Sequence, residues 1–206
     1  MRLVERIHGV YRSRGLTGLL RFLSTRIFRR SEDLLFERDL GASRTGAAPV
    51  RLHPVIRIGR ENVGSARVAA IERQVLAGEN EAYGAGLLRN DLLFAHLDDD
   101  GRVLTYAFVL FTTEYKRVLQ EPSEVPMIGN CYTVPDARGR GLYARMLVTV
   151  SDDLAVDGHR RAIISCQPDN VASMRGIERA GFKRARHITS FIALSKLVLW
   201  RVTRPF

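Results

Sequence analysis

A strand that runs directly into a glycine turn and then into an amphipathic helix constrains this chain more than any other stretch of it. Met127–Val134 (MIGNCYTV) is apolar, β-prone and halted by Pro135. Pro135-Asp136-Ala137-Arg138-Gly139-Arg140-Gly141 follows. Leu142, Met146, Leu147, Val150 and Leu154 then recur at helical spacing as far as Gly158, a natural residue just past a helix end. A strand, a glycine turn and a helix N-terminus make an anion site. The first helical N–H groups lack partners, the helix dipole is positive there, and glycines let a ligand approach the backbone. Arg138 and Arg140 add charge beside that cradle, as a pyrophosphate requires. The glycine spacing is not that of a dinucleotide-binding turn, and no Lys-Ser/Thr pair follows as in a P-loop. The same four letters, RGRG, occur in disordered RNA-binding tails, but here the flanking strand and helix set that reading aside.

A second block lies downstream. Ala162–Cys166 has the character of a buried strand, Gln167-Pro168-Asp169-Asn170 turns, and a short helix ends at Ala180-Gly181-Phe182. Asn170 is a suitable N-cap and Gly181 a suitable C′ residue. The two blocks in this order resemble the signature of the GNAT acetyltransferase superfamily: a V-x-P strand end, R-x-x-G-x-G/A, a helix, a strand, then N-x-x-S/A and G-F. Thr133, Pro135, Arg138 and Gly141 match the first motif; Asn170, Ser173, Gly181 and Phe182 match the second. The resemblance is close over 127–184 and rests on element order alone over 50–114.

That resemblance implies an α/β (α+β) GNAT fold, a mixed, twisted central sheet flanked by helices, and acetyl-CoA or another acyl-CoA as co-substrate. It places the pyrophosphate on the backbone of Arg138, Gly139, Arg140, Gly141, Leu142 and Tyr143. The pantetheine arm is implied to lie along Cys131, Tyr132, Thr133 and Val134, with Asn170 hydrogen-bonding the pantetheine or phosphate region and Ser173 also among the cofactor-binding residues. The implied chemistry is attack of a neutral amine on the thioester, with a backbone N–H near Cys131 or Tyr132 polarising the carbonyl. Two positions depart from the pattern. Tyr143 stands where a small residue is usual, and Ile177 stands where many members carry a tyrosine that protonates the leaving thiolate.

The rest of the chain reads as support for this unit. Residues 63–77 are helical in pattern, and Leu92–Leu97 and Arg102–Thr113 are two strands joined by the turn Asp98-Asp99-Asp100-Gly101. Residues 41–49 (GASRTGAAP) read as a linker and 1–40 as a basic, amphipathic helical extension, so that the acyltransferase domain spans 50–206. Of the net charge of +10, seven charges come from residues 1–30, where eight arginines face one acid. The body is therefore nearly balanced, and without interleaved aromatics or a reader motif no nucleic-acid partner is expected. The basic helices are compatible with an anionic membrane surface, with an acidic carrier protein, or with packing on their own domain.

A general base must accept the amine proton. Glu114, at a strand end, is the first candidate. Tyr132 and Asn130 are polar groups whose alternation sets them on one face with Ile128, opposite Cys131. Cys131 and Cys166 lie in apolar strands without a nearby histidine, so neither is expected as a nucleophile or in a disulfide. The five histidines have no metal-ligand spacing, and no metal is expected. Two cysteines and no apolar run long enough to cross a bilayer suggest a cytoplasmic protein, or one peripheral at the inner membrane face. The expected activity is N-acetyl transfer to a small-molecule amine, an amino sugar among the attractive acceptors. Longer-chain acyl transfer and a non-catalytic CoA-binding module are the alternatives, and a homodimer is compatible with either.

Overall fold

The computed structural model describes residues 28–41, 51–193 and 197–206. The helices expected over 1–27 and the linker at 42–49 lie outside them. Eight strands form one mixed sheet: β1 (Phe28–Asp39), β2 (Val55–Ile58), β3 (Leu92–Leu97), β4 (Val103–Leu110), β5 (Met127–Thr133), β6 (Arg161–Cys166), β7 (Lys183–Ala193) and β8 (Leu197–Pro205). Their order is β2-β3-β4-β5-β6-β1-β7-β8. All neighbours are antiparallel except β5 and β6. Helices α1 (Ala69–Val75) and α2 (Gly84–Leu87) are joined by a 3-10 turn at Gly78–Tyr83. Helix α3 (Tyr115–Leu119) leads into β5, α4 (Leu142–Val156) links β5 to β6, and α5 (Val171–Arg179) links β6 to β7.

The expected helical pattern over 63–77 narrows to α1, and the hairpin strands β3 and β4 fall where their alternation puts them. Arg102 and Phe111–Thr113 drop out of the second strand. Helix α4 buries Leu142, Met146, Leu147, Val150 and Leu154 against Phe94, Val109, Ile128 and Ile164 on one sheet face. Across the sheet, Ile71, Val75 and Leu87 cover Leu93, Ala95, Val103 and Phe108. Each fully buried aliphatic or aromatic side chain contributes about 1.5–3 kcal/mol, so these two layers hold the helices against the sheet.

One expectation is corrected. Residues 28–39 are not the end of a helical extension but a strand in the sheet interior, paired with β6 on one edge and β7 on the other. Leu34, Leu35 and Phe36 are buried in succession, Leu34 and Phe36 on the α4 face and Leu35 on the opposite one. A strand covered on both faces carries a continuous apolar run, with no alternation to announce it. Its charged neighbours find partners instead: Glu37 with Arg161 at 3.0 Å, and Asp33 with the hydroxyls of Ser31 and Tyr115. The folded unit therefore includes residues well before Val50.

Beside this strand lies a buried carboxylate. Glu121, its side chain 1% exposed, accepts from Arg161 at 2.5 Å and from Arg186. These contacts fasten the α3–β5 connection to β6 and β7.

Candidate functional site

β5 and β6 are bonded only at Met127↔Ile163 and Ile128↔Ile164. Beyond that point the parallel pair splays, and residues 129–133 of β5 have no partner on the β6 side. Val134 N–H reaches Leu104 O at 3.0 Å, and Thr105 Oγ1 donates to Tyr132 O at 2.9 Å. The main-chain groups of Tyr132 and Val134 thus face β4. By strand alternation those of Cys131 and Thr133 face the open side. An extended ligand can hydrogen-bond to that edge as an added strand would.

The open edge leads into the glycine turn. Pro135–Ala137 forms one 3-10 turn, anchored where Arg102 grips Asp136 with two hydrogen bonds of 2.7 and 3.1 Å. Arg102 also holds the Asp136 carboxyl below its ordinary pKa, through that hydrogen bond first. Gly139 and Gly141 have φ of 78° and 73°, and a Cβ at either would meet nothing within 4 Å. Glycine is needed there for backbone conformation, and the space in front is open. Gly141 is also the N-cap of α4, and no side chain caps it. The first N–H groups of the helix are therefore left for a ligand. Arg138 bonds Thr133 O at 3.0 Å and lies 5.7 Å from the centre of the Tyr132 ring; Arg140 bonds Asp136 O at 3.0 Å. An anion cradle continuous with an unpaired strand edge fits a pyrophosphate joined to an extended arm.

The start of α5 closes the α4 side of this cleft. Asn170 Oδ1 caps the helix by accepting from Ser173 N at 3.0 Å, which leaves its amide NH2 to donate outward. Ser173 Oγ lies 3.1 Å from the Tyr143 hydroxyl. Burial pushes the Cys131 thiol up to about 12 and the Cys166 thiol up to about 11, so neither is a ready nucleophile.

The opposite face carries a polar cluster that the sequence did not announce. Asn130 Nδ2 donates to Asn80 Oδ1 at 2.7 Å, and Asn80 Nδ2 reaches both Tyr106 Oη at 2.7 Å and Val75 O at 2.8 Å. Tyr132 stacks on Tyr106 with ring centres 5.7 Å apart. Asn80 lies in an irregular segment (GENEAY) with no periodicity to mark it. Tyr106 was detectable only as the cross-strand partner of Tyr132.

Two expectations about catalytic residues change. Asn130 and Tyr132 share a face, but Ile128 is on the other one, with the α4 core that Cys131 also borders. The cause is a β-bulge: Asn130 and Cys131 together oppose Ala107, and Asn130 takes φ of 46°. Glu114 is not at the cleft. It precedes α3, near the β4 end opposite the splay, and its side chain is 83% exposed and paired with Arg117. The remaining expected residues, from Cys131 to Val134, Arg138 to Tyr143, and Asn170 with Ser173, are gathered around the splay. No group of three or more metal-ligating side chains occurs among the described residues, and no described helix is long and apolar enough to cross a membrane.

A splayed parallel pair feeding a glycine turn is an α/β arrangement suited to a long, phosphate-bearing ligand. No known family profile and no curated protein matches this chain. Solved structures do. An acetyltransferase of the GNAT family from Colwellia psychrerythraea is 21% identical, with a TM-score of 0.53 over 80% of this chain and 56% of that one. An acetyltransferase of the same family from Novosphingobium aromaticivorans is 20% identical, TM-score 0.52, over 80% and 64%. A GCN5-related N-acetyltransferase from Sphaerobacter thermophilus is 17% identical, TM-score 0.51, over 88% and 57%. The chain has the GNAT fold, and it spans about three fifths of the length of these structures.

Proposed function

We propose that this protein is an acyl-CoA-dependent N-acyltransferase that moves an acetyl group to a primary amine of a small molecule within a ternary complex. One observation carries the reading: the unpaired edge of β5 at residues 129–133 runs straight into the uncapped, glycine-lined start of α4. The GNAT fold, shared with structures described as acetyltransferases, supports it.

In this reading Gly139, Gly141 and the first N–H groups of α4 hold the pyrophosphate, with Arg138 and Arg140 neutralising it. The main-chain groups of Cys131 and Thr133 pair with the pantetheine arm, and the amide of Asn170 donates to it from the other wall. The thioester supplies the activated acyl group. The Cys131 N–H faces the open side and stabilises the oxyanion that forms on the thioester carbonyl; one such donor is worth about 2.7–4 kcal/mol of barrier. Asn80, Asn130, Tyr106 and Tyr132 meet the acceptor. They are uncharged, so the amine is received in its neutral, attacking form rather than as an ion pair.

Thermal shift and calorimetry with acetyl-CoA, longer acyl-CoAs and CoA test the donor site. Saturating acetyl-CoA should raise the melting temperature, and mass spectrometry of amine mixtures, amino sugars included, should then find an acetylated product. Absence of stabilisation by every one of these ligands defeats the proposal.

A further inference from the structure

The sheet ends on a long apolar edge. β8 is last in the strand order, and among the described residues nothing pairs with its outer side. Phe206 N–H reaches Ala185 O at 3.3 Å. By strand alternation the main chains of Arg204, Val202 and Trp200 therefore also face β7, and those of Thr203 and Arg201 face outward. Leu34 points to the α4 face, and the register carries that face through His187 and Phe191 to Trp200, Val202 and Arg204. Trp200 is 60% exposed there, stacked on Phe191 with ring centres 5.3 Å apart, and Phe206 is 63% exposed. Such an edge is a template for another strand unless charge or proline blunts it. Arg201 does not blunt it, because it is drawn back to its own chain, donating to Arg117 O at 2.8 Å. Pro205, whose nitrogen faces outward and cannot donate, marks where pairing stops.

We infer that this edge is covered by a second copy of the same chain, the two β8 strands running antiparallel about a two-fold axis at Val202. A two-fold contact must be self-complementary, and this register is. Val202 meets Val202, Arg201 meets Thr203, and Arg204 meets Trp200, so no two arginines stand opposite each other. Val202 faces β7, which makes the axis a non-hydrogen-bonded pair. The outward N–H and C=O groups of Arg201 and Thr203 then bond to one another on both sides of it. Trp200 keeps Phe191 on one ring face and receives the guanidinium of the second copy's Arg204 on the other, a cation–π contact. Neighbouring registers are worse. An axis at Arg201 sets two arginines face to face, and one at Thr203 sets Arg201 against Pro205. The two sheets join into one. Strands β1, β7 and β8 lie between the splay at β6 and the new contact, so each copy keeps its own donor cleft. The inference stands apart from the acyltransferase reading.

Sedimentation of the full chain over a dilution series should show a monomer–dimer equilibrium, reaching twice the chain mass at the concentrated end. Thr203→Pro removes an outward N–H and no bond to β7. It should melt close to wild type and weaken the dimer by about tenfold or more. Val202→Cys sets two thiols across the axis with Cα atoms about 4.5 Å apart, within disulfide reach. Mild oxidation should link that variant into a covalent dimer, with wild type as the control for Cys131 and Cys166. Thr203→Cys, opposite Arg201, should link at least about tenfold more slowly, and this comparison decides the matter if the proline variant does not fold. A chain that stays monomeric, a dimer unaffected by a folded Thr203→Pro, or linking at 203 as fast as at 202 each overturns the inference. Binding of a monomer to phosphatidylserine vesicles, lost on Trp200→Ala, would assign the face to a lipid surface and overturn it too.

Discussion

The ring of Tyr143 stands where a methyl group on Gly176 would have to be, 2.3 Å from an ideal Cβ. Gly176→Ala should therefore cost about 1–3 kcal/mol, the range for overpacking a tight contact. The double variant with Tyr143→Ala should recover most of that loss. Urea melts of the four proteins give the coupling energy, and simple additivity would show that the two residues do not share the space.

Gly141 presents the contrasting case. Its φ of 73° disfavours any L side chain, yet a Cβ there meets no protein atom within 4 Å. Gly141→Ala should cost about 1–2 kcal/mol of stability through the backbone alone. The added methyl points into the space proposed for the pyrophosphate, so acetyl-CoA affinity should fall by about tenfold, equivalent to 1.4 kcal/mol. Calorimetry beside thermal melts separates the two effects.

Asn80 ties three elements together through Asn130, Tyr106 and the carbonyl of Val75. Asn80→Ala leaves these groups unpaired beside the sheet and should lower stability by about 1–3 kcal/mol. Acetyl-CoA binding, proposed for the β6-facing edge of β5, should change by less than twofold. A large loss of acetyl-CoA affinity would show that this cluster belongs to the donor wall rather than to the acceptor.

Thiol labelling has a definite pH dependence. With the Cys131 and Cys166 thiols raised to about 12 and about 11, both are protonated at pH 8, and only the thiolate reacts. Alkylation by iodoacetamide should be at least about a hundredfold slower than for a free cysteine of pKa near 8.5. The rate should climb about tenfold per pH unit through pH 10 in the folded protein. Rapid labelling at pH 7 would contradict the raised pKa of both thiols.

Glu121 is held between two arginines from different strands. Removing one member of a buried ion pair costs about 3–5 kcal/mol. The arginines here are 37% and 27% exposed, so water offsets part of the loss. Glu121→Gln should destabilise by about 2–3 kcal/mol in urea denaturation.

How much of this was legible beforehand depended on whether the signal was local. The glycine turn and helix start at Arg138–Gly141, the capped start of α5 at Asn170 and the hairpin at Asp98–Gly101 each rest on a few adjacent residues, and these local elements fall where their sequence put them. The polar cluster of Asn80, Asn130, Tyr106 and Tyr132 did not, because Asn80 reaches Asn130 across 50 positions and only the tertiary fold brings them together. The bulge at Asn130 reversed the face of Ile128 relative to Asn130 and Tyr132, since one extra residue shifts a period-two pattern by half its repeat. β1 was misread because its short run of Leu34, Leu35 and Phe36 is set among acids and arginines whose partners lie far along the chain.

β1 pairs with strands that follow it by more than 120 positions in the chain. Arg38 reaches Ala180 across 142 positions, so closing this part of the sheet brings together distant ends of the molecule late in folding. A chain trimmed to start after Gly41 would not shed an appendage. It would cut the sheet into a five-strand block and a two-strand block and bare the edges of β6 and β7 together, which is an invitation to aggregate.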